Sequence, residues 1–130
     1  MEDLVIKAGK SSPAVEFRYE PGELRIEGES YPEHALKFYE PVLRWVRACL
    51  DVSQRSLILT MDIVYFNSSS SKILMNLFDM LDEAASEGKR VSVRWLYHEE
   101  NEVARECGEE FKEETRFLDF QLVPYGDERA

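Results

Sequence analysis

One stretch of the chain, residues 55–88, constrains the fold more than any other. It opens with ten residues, Leu57–Phe66, that are nearly all apolar or β-favouring, and it closes with apolar residues at three- and four-residue spacing. A continuous apolar run of this kind predicts a strand buried in a sheet. The later spacing predicts a helix with one face on a core. The stretch therefore predicts a strand, a polar turn and a helix in direct succession.

The polar turn carries Asn67 and four consecutive serines, Ser68 to Ser71. Asn67 and Ser68 are both good N-cap residues, because a side-chain oxygen can accept a free backbone N–H of the first helical turn. Several hydroxyls are thus expected where a helix presents unpaired N–H groups and partial positive charge, a place that suits a phosphate. The pattern alone nevertheless favours a plain serine-rich cap with no further role.

The segments on either side show strand and helix patterns in alternation. Two stretches with alternating apolar residues, joined by the turn signal Pro21-Gly22, predict a β-hairpin. Helices that alternate with strands predict parallel crossovers on one sheet. The predicted elements are an edge strand at 3–8, hairpin strands at 14–19 and 23–27, a helix at 33–50 that Pro41 kinks or divides, the central strand and helix, a strand at Val91–His98, a helix within 99–116 and a last strand at 117–123.

The strand around Trp95 indicates how the layers are arranged. Trp95 lies on an apolar face, whereas its neighbour Arg94 lies on a mixed one, and Thr60 and Asp62 place polar groups in the central strand. We therefore predict an α/β fold in a single domain, residues 1–130, with a mixed β-sheet of about five to six strands and about three helices packed mainly on one face.

Charge and cysteine usage narrow the class of protein. The formal net charge is −10, which argues against binding to nucleic acid or to an anionic membrane surface, since both require Lys and Arg patches. Cys49 and Cys107 have no metal-ligand spacing, so we expect free thiols in a reducing compartment. No signal peptide and no segment long enough to span a bilayer is recognised. We expect a cytoplasmic protein.

The residue types argue against several kinds of active site. The chain's two histidines, His34 and His98, are not accompanied by the GxSxG motif of serine hydrolases. A phosphate-binding loop for nucleotides needs glycines and a Lys-Ser or Lys-Thr pair, but here Lys72 precedes Ile73. The acidic residues of the last helix spread around it rather than converge on a metal. We expect no catalytic residue, no metal site and no cofactor, and a phosphorylation site is the chemically simplest use of the serines.

Residues 28–35 precede the first predicted helix. Their pattern is typical of a helix start in which Ser30 caps, Pro32 lies in the first turn and Glu33 favours the positive end. The alternative is a specific surface loop. Tyr31 and Glu33 are then its candidates for contact with a partner.

The motif VYFNSSSSK at residues 64–72 resembles that of the SiaC family of small bacterial regulatory phosphoproteins. The resemblance extends at consistent spacing over nearly the whole chain. The residues that carry it are Gly28, Ser30, Tyr31, Pro32, Glu33, Phe38, Tyr39, Trp45, residues 65–70, Lys72, residues 91–95 and Tyr97.

This resemblance implies a STAS-like α/β fold and a phospho-switch. A dedicated serine/threonine protein kinase would phosphorylate the hydroxyl directly after Asn67, which is Ser68, and a PP2C-type phosphatase would remove the phosphate. The unphosphorylated protein would bind and activate a diguanylate cyclase, raising cyclic-di-GMP and promoting biofilm formation. Within the serine run, Ser69 is the alternative site. The residues expected on the surface that partners recognise are Asn67, Ser69, Ser70, Lys72, Tyr31 and Glu33.

Two alternatives remain open. The succession of strand, Asn, serines and helix is also similar to the phosphorylation turn of STAS-domain anti-anti-sigma factors, which implies control of an anti-sigma kinase instead of a cyclase. The other alternative is a small-molecule-binding domain or an enzyme that uses His34, His98 and the acidic residues.

Overall fold

The computed structural model describes residues 1–52 and 55–127, and within them the chain forms one six-stranded sheet and three helices. The strands lie side by side in chain order, antiparallel from the first to the third and parallel from the third to the sixth. The predicted mixed α/β sheet is thus confirmed. The elements are β1 (Leu4–Ile6), β2 (Ala14–Arg18), β3 (Glu23–Ser30), α1 (Ala35–Val52), β4 (Leu57–Phe66), α2 (Ser68–Ser86), β5 (Val91–His98), α3 (Glu102–Glu114) and β6 (Asp119–Tyr125).

The three helices cover one face of the sheet. Each helix connects two adjacent parallel strands, and right-handed crossovers that advance in one direction place all the helices on the same side. Burial agrees with this arrangement: Leu59 and Met61 on β4 are buried, whereas Thr60 and Asp62 between them are only partly covered. The sheet therefore has one packed face and one open, polar face, as the sequence predicts.

The first helix departs from its prediction at its start. It begins at Ala35 rather than at residue 33, and Ser30 does not cap it, because Ser30 is the buried last residue of β3. Pro41 does not divide the helix, which continues through it to Val52. The proline lies on the exposed side, where water can replace the backbone hydrogen bond that its missing N–H removes.

The second helix ends as the sequence predicts. Gly88 adopts a positive φ of 94°, which a glycine reaches without a steric penalty. Its N–H donates to the carbonyl of Ala85, and the N–H of Lys89 donates to the carbonyl of Ala84. This pair of bonds is the Schellman arrangement, and it satisfies carbonyl groups that would otherwise be left unpaired at the helix end.

The packing of α3 depends on a close approach to Trp95. The indole N–H of this fully buried side chain donates to the carbonyl of Ala104 at 2.9 Å. Gly108, one turn further along α3, lies directly against the indole, and a Cβ added there would come within 2.5 Å of Trp95 Cδ1. A glycine in the middle of a helix is therefore explained by the contact that it permits.

The helices also have polar outer sides. In α3 the buried residues are Ala104, Gly108 and Phe111, while most of the glutamates face solvent. Across residues 1–52 and 55–127, no helix combines the length and the apolar character that crossing a membrane requires.

Asp82 on α2 fixes the loop that leads into β6. One oxygen of its carboxylate accepts the backbone N–H groups of Arg116, Phe117 and Leu118 at 2.8–3.0 Å. Partial burial raises the pKa of this carboxyl, but the three hydrogen bonds together outweigh it, so the pKa of Asp82 is lowered overall. The charged form thus stabilises the fold.

Gly108→Ala should destabilise the protein by about 1–2 kcal/mol, because overpacking against the indole exceeds the better helix propensity of alanine. Urea unfolding at neutral pH measures the change. Glu106→Ala, exposed on the same helix, is the control and should change stability by less than about 0.5 kcal/mol. Equal stability of Gly108→Ala and the parent would show that α3 does not need this close approach.

Asp82→Asn should destabilise the protein at pH 7 by about 1 kcal/mol, the typical net value of a hydrogen-bonded group. A lowered folded-state pKa contributes stability above the unfolded value of about 4 and loses it as the pH falls through the folded value. The difference from the parent should therefore shrink below about pH 4.

Asp79 on the same helix provides a control of opposite sign. Burial, and then the charges of Asp82 and Glu114, raise its pKa, so its charge opposes folding at pH 7. Asp79→Asn should leave stability at pH 7 unchanged or slightly higher. A difference between Asp82→Asn and the parent that persists unchanged at low pH would contradict the role given to the Asp82 charge.

Candidate functional site

A β-bulge prepares the start of α2. Gly28 pairs with Ile63 and Glu29 pairs with Tyr65, so Val64 is an extra residue in β4. A bulge interrupts the alternation of inward and outward side chains. As a result Ile63 is buried and Phe66 packs against the core, while the two residues between them, Val64 and Tyr65, are both exposed.

Asn67 caps α2, as the sequence predicts. Its backbone is extended, with φ −90° and ψ 176°, and its side-chain oxygen accepts the N–H of Ser70 at 2.9 Å. Its own N–H donates to the carbonyl of Ser30 at 3.1 Å, which ties the turn to the end of β3. Ser68 is consequently the first residue of the helix.

The four serines have different environments. Ser68 and Ser69 are exposed, Ser71 is partly covered and Ser70 is buried with none of its surface accessible. Within the part of the chain that the structure describes, the hydroxyls of Ser68 and Ser69 make no hydrogen bond to another protein group. Both are therefore accessible to a modifying enzyme.

Ser70 belongs to a buried chain of three hydroxyls. Ser30 donates to Ser70 at 2.8 Å, so the Tyr39 hydroxyl, 2.6 Å from Ser30 on the other side, must donate to Ser30. Burial raises the pKa of Tyr39 to about 12, although the hydrogen bond with Ser30 opposes this shift, and the phenol keeps its proton at neutral pH. The three hydrogen-bonded hydroxyls link the first turn of α2 to the end of β3 and to α1.

These buried hydrogen bonds correct the prediction for Ser70, which was expected on the surface that partners recognise. A side chain with no accessible surface offers nothing to a partner, so that expectation is wrong. Sequence reasoning missed this hydrogen-bonded set of hydroxyls because its members come from three separate elements. The only signal in the sequence was that Ser30 and Tyr39 occupy positions of β3 and α1 at which the spacing places inward-facing, apolar residues.

The other predicted residues lie near the same end of the sheet. Tyr31 follows Ser30, is 40% exposed, and packs edge-to-face on Tyr65 with ring centroids 5.8 Å apart. Glu33 is exposed beside His34, with 3.5 Å between its carboxylate and the imidazole. Lys72 is exposed one turn after Ser68. The structure thus groups Tyr31, Asn67, Ser68, Ser69 and Lys72 where β3 and β4 end.

An open groove of about 800 Å³ lies between the first turns of α1 and α2. Leu36 is its exposed apolar side chain, whereas Ile73, which also lines it, is buried. Lys37, Ser69 and Lys72 are among the polar residues that line the groove. Leu36 fits the predicted apolar face of α1 by its spacing, yet 63% of it is exposed. Leu36 is thus one of several large apolar side chains that are exposed among the described residues, and it lies beside the serine turn.

Neither histidine is in hydrogen-bond contact with a serine within residues 1–52 and 55–127, although His34 and Ser69 line the same groove. The side chain of His34 is exposed. Cys49 and Cys107 are both free, and burial raises the pKa of each thiol, which makes them poor nucleophiles.

One group of potential metal ligands, His98, Glu100 and Asp127, has ligand atoms within 4.8 Å of one another. The backbone N–H of Glu100 donates to Nδ1 of His98 at 3.0 Å, so in the neutral ring Nε2 carries the proton and donates to Asp127 at 2.8 Å. A metal-bound histidine has the opposite arrangement, in which the second nitrogen donates to an acceptor. The contacts favour a hydrogen-bonded cluster over a metal site.

Fold and site together define a class of protein: a small α/β domain whose central strand leads through an exposed serine turn into a capped helix, a layout suited to regulation. The sequence profile of the SiaC family of regulatory phosphoproteins matches residues 6–125, and the chain belongs to this family.

Proteins from Pseudomonas aeruginosa show the same relationship. An uncharacterized protein of strain UCBPP-PA14 is 39% identical over 117 residues, which cover 90% of this chain and 93% of that protein. The structure of SiaC superposes with a TM-score of 0.89 at 35% identity, over 96% of this chain and 100% of SiaC. A chain from the crystal structure of the diguanylate cyclase SiaD in complex with its activator SiaC gives a TM-score of 0.90 at 36% identity, over 95% of this chain and 100% of that one.

Removal of the Ser30 hydroxyl tests whether the three buried hydroxyls stabilise one another. Ser30→Ala takes away the acceptor of Tyr39 and the donor to Ser70 together, so we expect a loss of about 1–3 kcal/mol in urea unfolding. Ser70→Ala removes only the end of the chain and should cost less. Ser69→Ala, one residue away and exposed, should be neutral. Equal stability of all three variants would show that the hydroxyls do not support one another.

Proposed function

We propose that this chain is a phospho-switch protein in which reversible phosphorylation of Ser68 controls binding to, and activation of, a diguanylate cyclase. Membership of the SiaC family supports a regulatory role. The solved complex in which SiaC is the activator of the cyclase SiaD supports the choice of partner. The chain acts by binding rather than by catalysis, in the cytoplasm, and its output is the level of cyclic-di-GMP.

The observation that carries the proposal is the position of Ser68. It is the first residue of α2, its side chain is exposed, and the turn that holds it is anchored from inside by the Asn67 cap and by Ser70. A kinase can reach this hydroxyl without unfolding the helix. Ser69 is also exposed and is the alternative site, whereas Ser70 is excluded by its burial.

A phosphate at this position is compatible with the fold. Phosphorylation adds about −1.5 to −2 charge. The unpaired N–H groups and the dipole at a helix N-terminus favour negative charge by about 0.3–1 kcal/mol. The modified helix should therefore remain folded.

The same phosphate opposes docking. A partner that packs over the turn must remove water from a dianion, which costs several kcal/mol unless cations pair with it. An interface of moderate affinity cannot offset a cost of that size. A serine/threonine protein kinase thus switches the partner off, and a PP2C-type phosphatase switches it on again.

Control of an anti-sigma kinase, the layout shared with anti-anti-sigma factors, is the competing output. The cyclase is preferred because the solved complex joins a cyclase to a protein 36% identical to the matched part of this chain. Binding assays with each partner class from the same host separate the two outputs.

Ser68→Asp should abolish binding to the host cyclase, a loss of at least about 100-fold corresponding to about 2.7 kcal/mol, and should leave the thermal unfolding midpoint within a few degrees of the parent. Ser68→Ala should bind and activate at parent level. Isothermal titration and cyclase activity measure the two effects, and Val103→Asp, which adds a negative charge to the exposed first turn of α3, is the matched control that should bind at parent affinity.

Mass spectrometry of protein isolated from the native host identifies the modified residue. We expect an increase of about 80 Da, the mass of one phosphoryl group, on the peptide that contains Ser68. The increase should vanish in Ser68→Ala. A phosphate found only on Ser69, or full cyclase activation by Ser68→Asp, would overturn the assignment.

A further inference from the structure

We infer that Lys72 is the counter-ion of the phosphate on Ser68, unpaired in the unmodified protein and bound to the phosphate after modification. The phosphate itself belongs to the proposed function, on which this inference rests, and the ion pair adds the residue that positions it. Lys72 lies one turn beyond the modified serine on the same helix. The pair is therefore made within α2 and needs no partner.

The spacing of the two residues is the first argument. Ser68 and Lys72 are four residues apart in α2, so they lie on the same side of the helix. In an intrahelical ion pair the favourable order places the anion four residues before the cation, as it does here. Both side chains are exposed, so neither loses a buried contact when the pair forms.

The availability of the Lys72 ammonium is the second argument. Among the described residues it takes part in no ion pair. Glu110 and Glu114 of α3 line a depression together with Lys72, yet neither carboxylate is paired with it. A phosphate on Ser68 carries more charge than either carboxylate and has three strong acceptor oxygens, so it binds the ammonium in preference to them.

The charged groups of α1 and its preceding loop that face this turn do not replace Lys72. His34, Lys37 and Glu40 line the groove between the first turns of α1 and α2 together with it. Glu40 pairs with Arg44 at 3.3 Å, and the imidazole of His34 lies beside a glutamate of its own loop. Lys37 adds positive potential, but it belongs to another helix, so the α2 backbone does not fix its distance from the phosphate.

The ion pair changes what the modification does to the surface. The phosphate adds about −1.5 to −2 charge, and the ammonium that it binds is no longer available to another molecule. The pair also favours the dianion over the monoanion, because a nearby cation stabilises the more highly charged form. Lys72 therefore helps to keep the phosphate doubly charged as the pH falls towards the second pKa of phosphoserine, about 6.

The test uses the full chain with phosphoserine installed at position 68 during translation, which does not depend on the host kinase. Titration of the phosphorus NMR signal at low ionic strength gives the second pKa of the phosphate. Lys72→Gln should raise that pKa by about 0.3 of a unit, the size expected for one intrahelical pair. Lys72→Arg, which keeps the charge, should restore the parent value, and added salt should shrink the difference.

Two further lysines serve as controls. Lys112→Gln removes an exposed lysine from α3 and should leave the pKa of the phosphate unchanged. Lys37→Gln removes the lysine that faces the turn from α1 and should shift the pKa by less than Lys72→Gln does.

A stability cycle separates the ion pair from a merely structural role of Lys72. In the unmodified protein Lys72→Gln should leave the thermal unfolding midpoint unchanged, because the lysine has no ion pair to lose. With phosphoserine at position 68 the same substitution should lower the midpoint by about 1–2 °C. A structural role would lower the midpoint equally in both forms.

Two results would overturn the inference. One is an equal second pKa of the phosphate in the parent and in Lys72→Gln, and the other is a larger shift in Lys37→Gln than in Lys72→Gln. Neither result removes Ser68 as the switch. A host kinase that ignores Ser68 would instead reject the proposed function, while the installed phosphate still decides whether the ion pair forms.

Discussion

The first turn of α2 is held from inside the protein, and the rest of the site depends on that anchor. Asn67 bonds forward to the N–H of Ser70 and backward to the carbonyl of Ser30, and the buried hydroxyls of Ser70, Ser30 and Tyr39 join the turn to β3 and α1. Hydrogen bonds of this kind are strong only where water is excluded, and all three side chains are buried. The anchor leaves Ser68 and Ser69 free to face solvent.

The neighbouring serines at the start of α2 therefore have different roles. The buried serine fixes the geometry, while the exposed serines face solvent, where the proposed phosphorylation would add charge without disturbing the core. The bulge at Val64 makes this division possible, because it turns Phe66 inward just before the cap and leaves Tyr65 beside Tyr31 on the surface. A regular strand would have reversed these positions and moved the cap relative to the sheet.

The spacing of apolar residues and the positions of turn-forming residues were enough to predict the architecture. β4, the Asn67 cap and Gly88 follow from local patterns that no long-range contact contradicts, and one-sided burial follows from the polar positions of β4 and β5. Ser30 and Ser70 could not be placed, because a serine reads as a cap or a surface residue until a distant hydroxyl is known to meet it. Leu36 and the bulge were missed for a related reason: exposure and register depend on neighbouring elements, and spacing along one segment does not report them.

The central claim is that a dianion at Ser68 alters the surface and spares the interior. Backbone amide spectra and hydrogen exchange of the protein phosphorylated on Ser68, compared with the unmodified protein, test it most directly. Shifts should be confined to the first turn of α2 and the facing turn of α1, with unchanged protection of the amides in β3 and in α1 around Tyr39. Loss of protection at those buried positions would mean that the phosphate breaks the anchor and that the switch acts by unfolding.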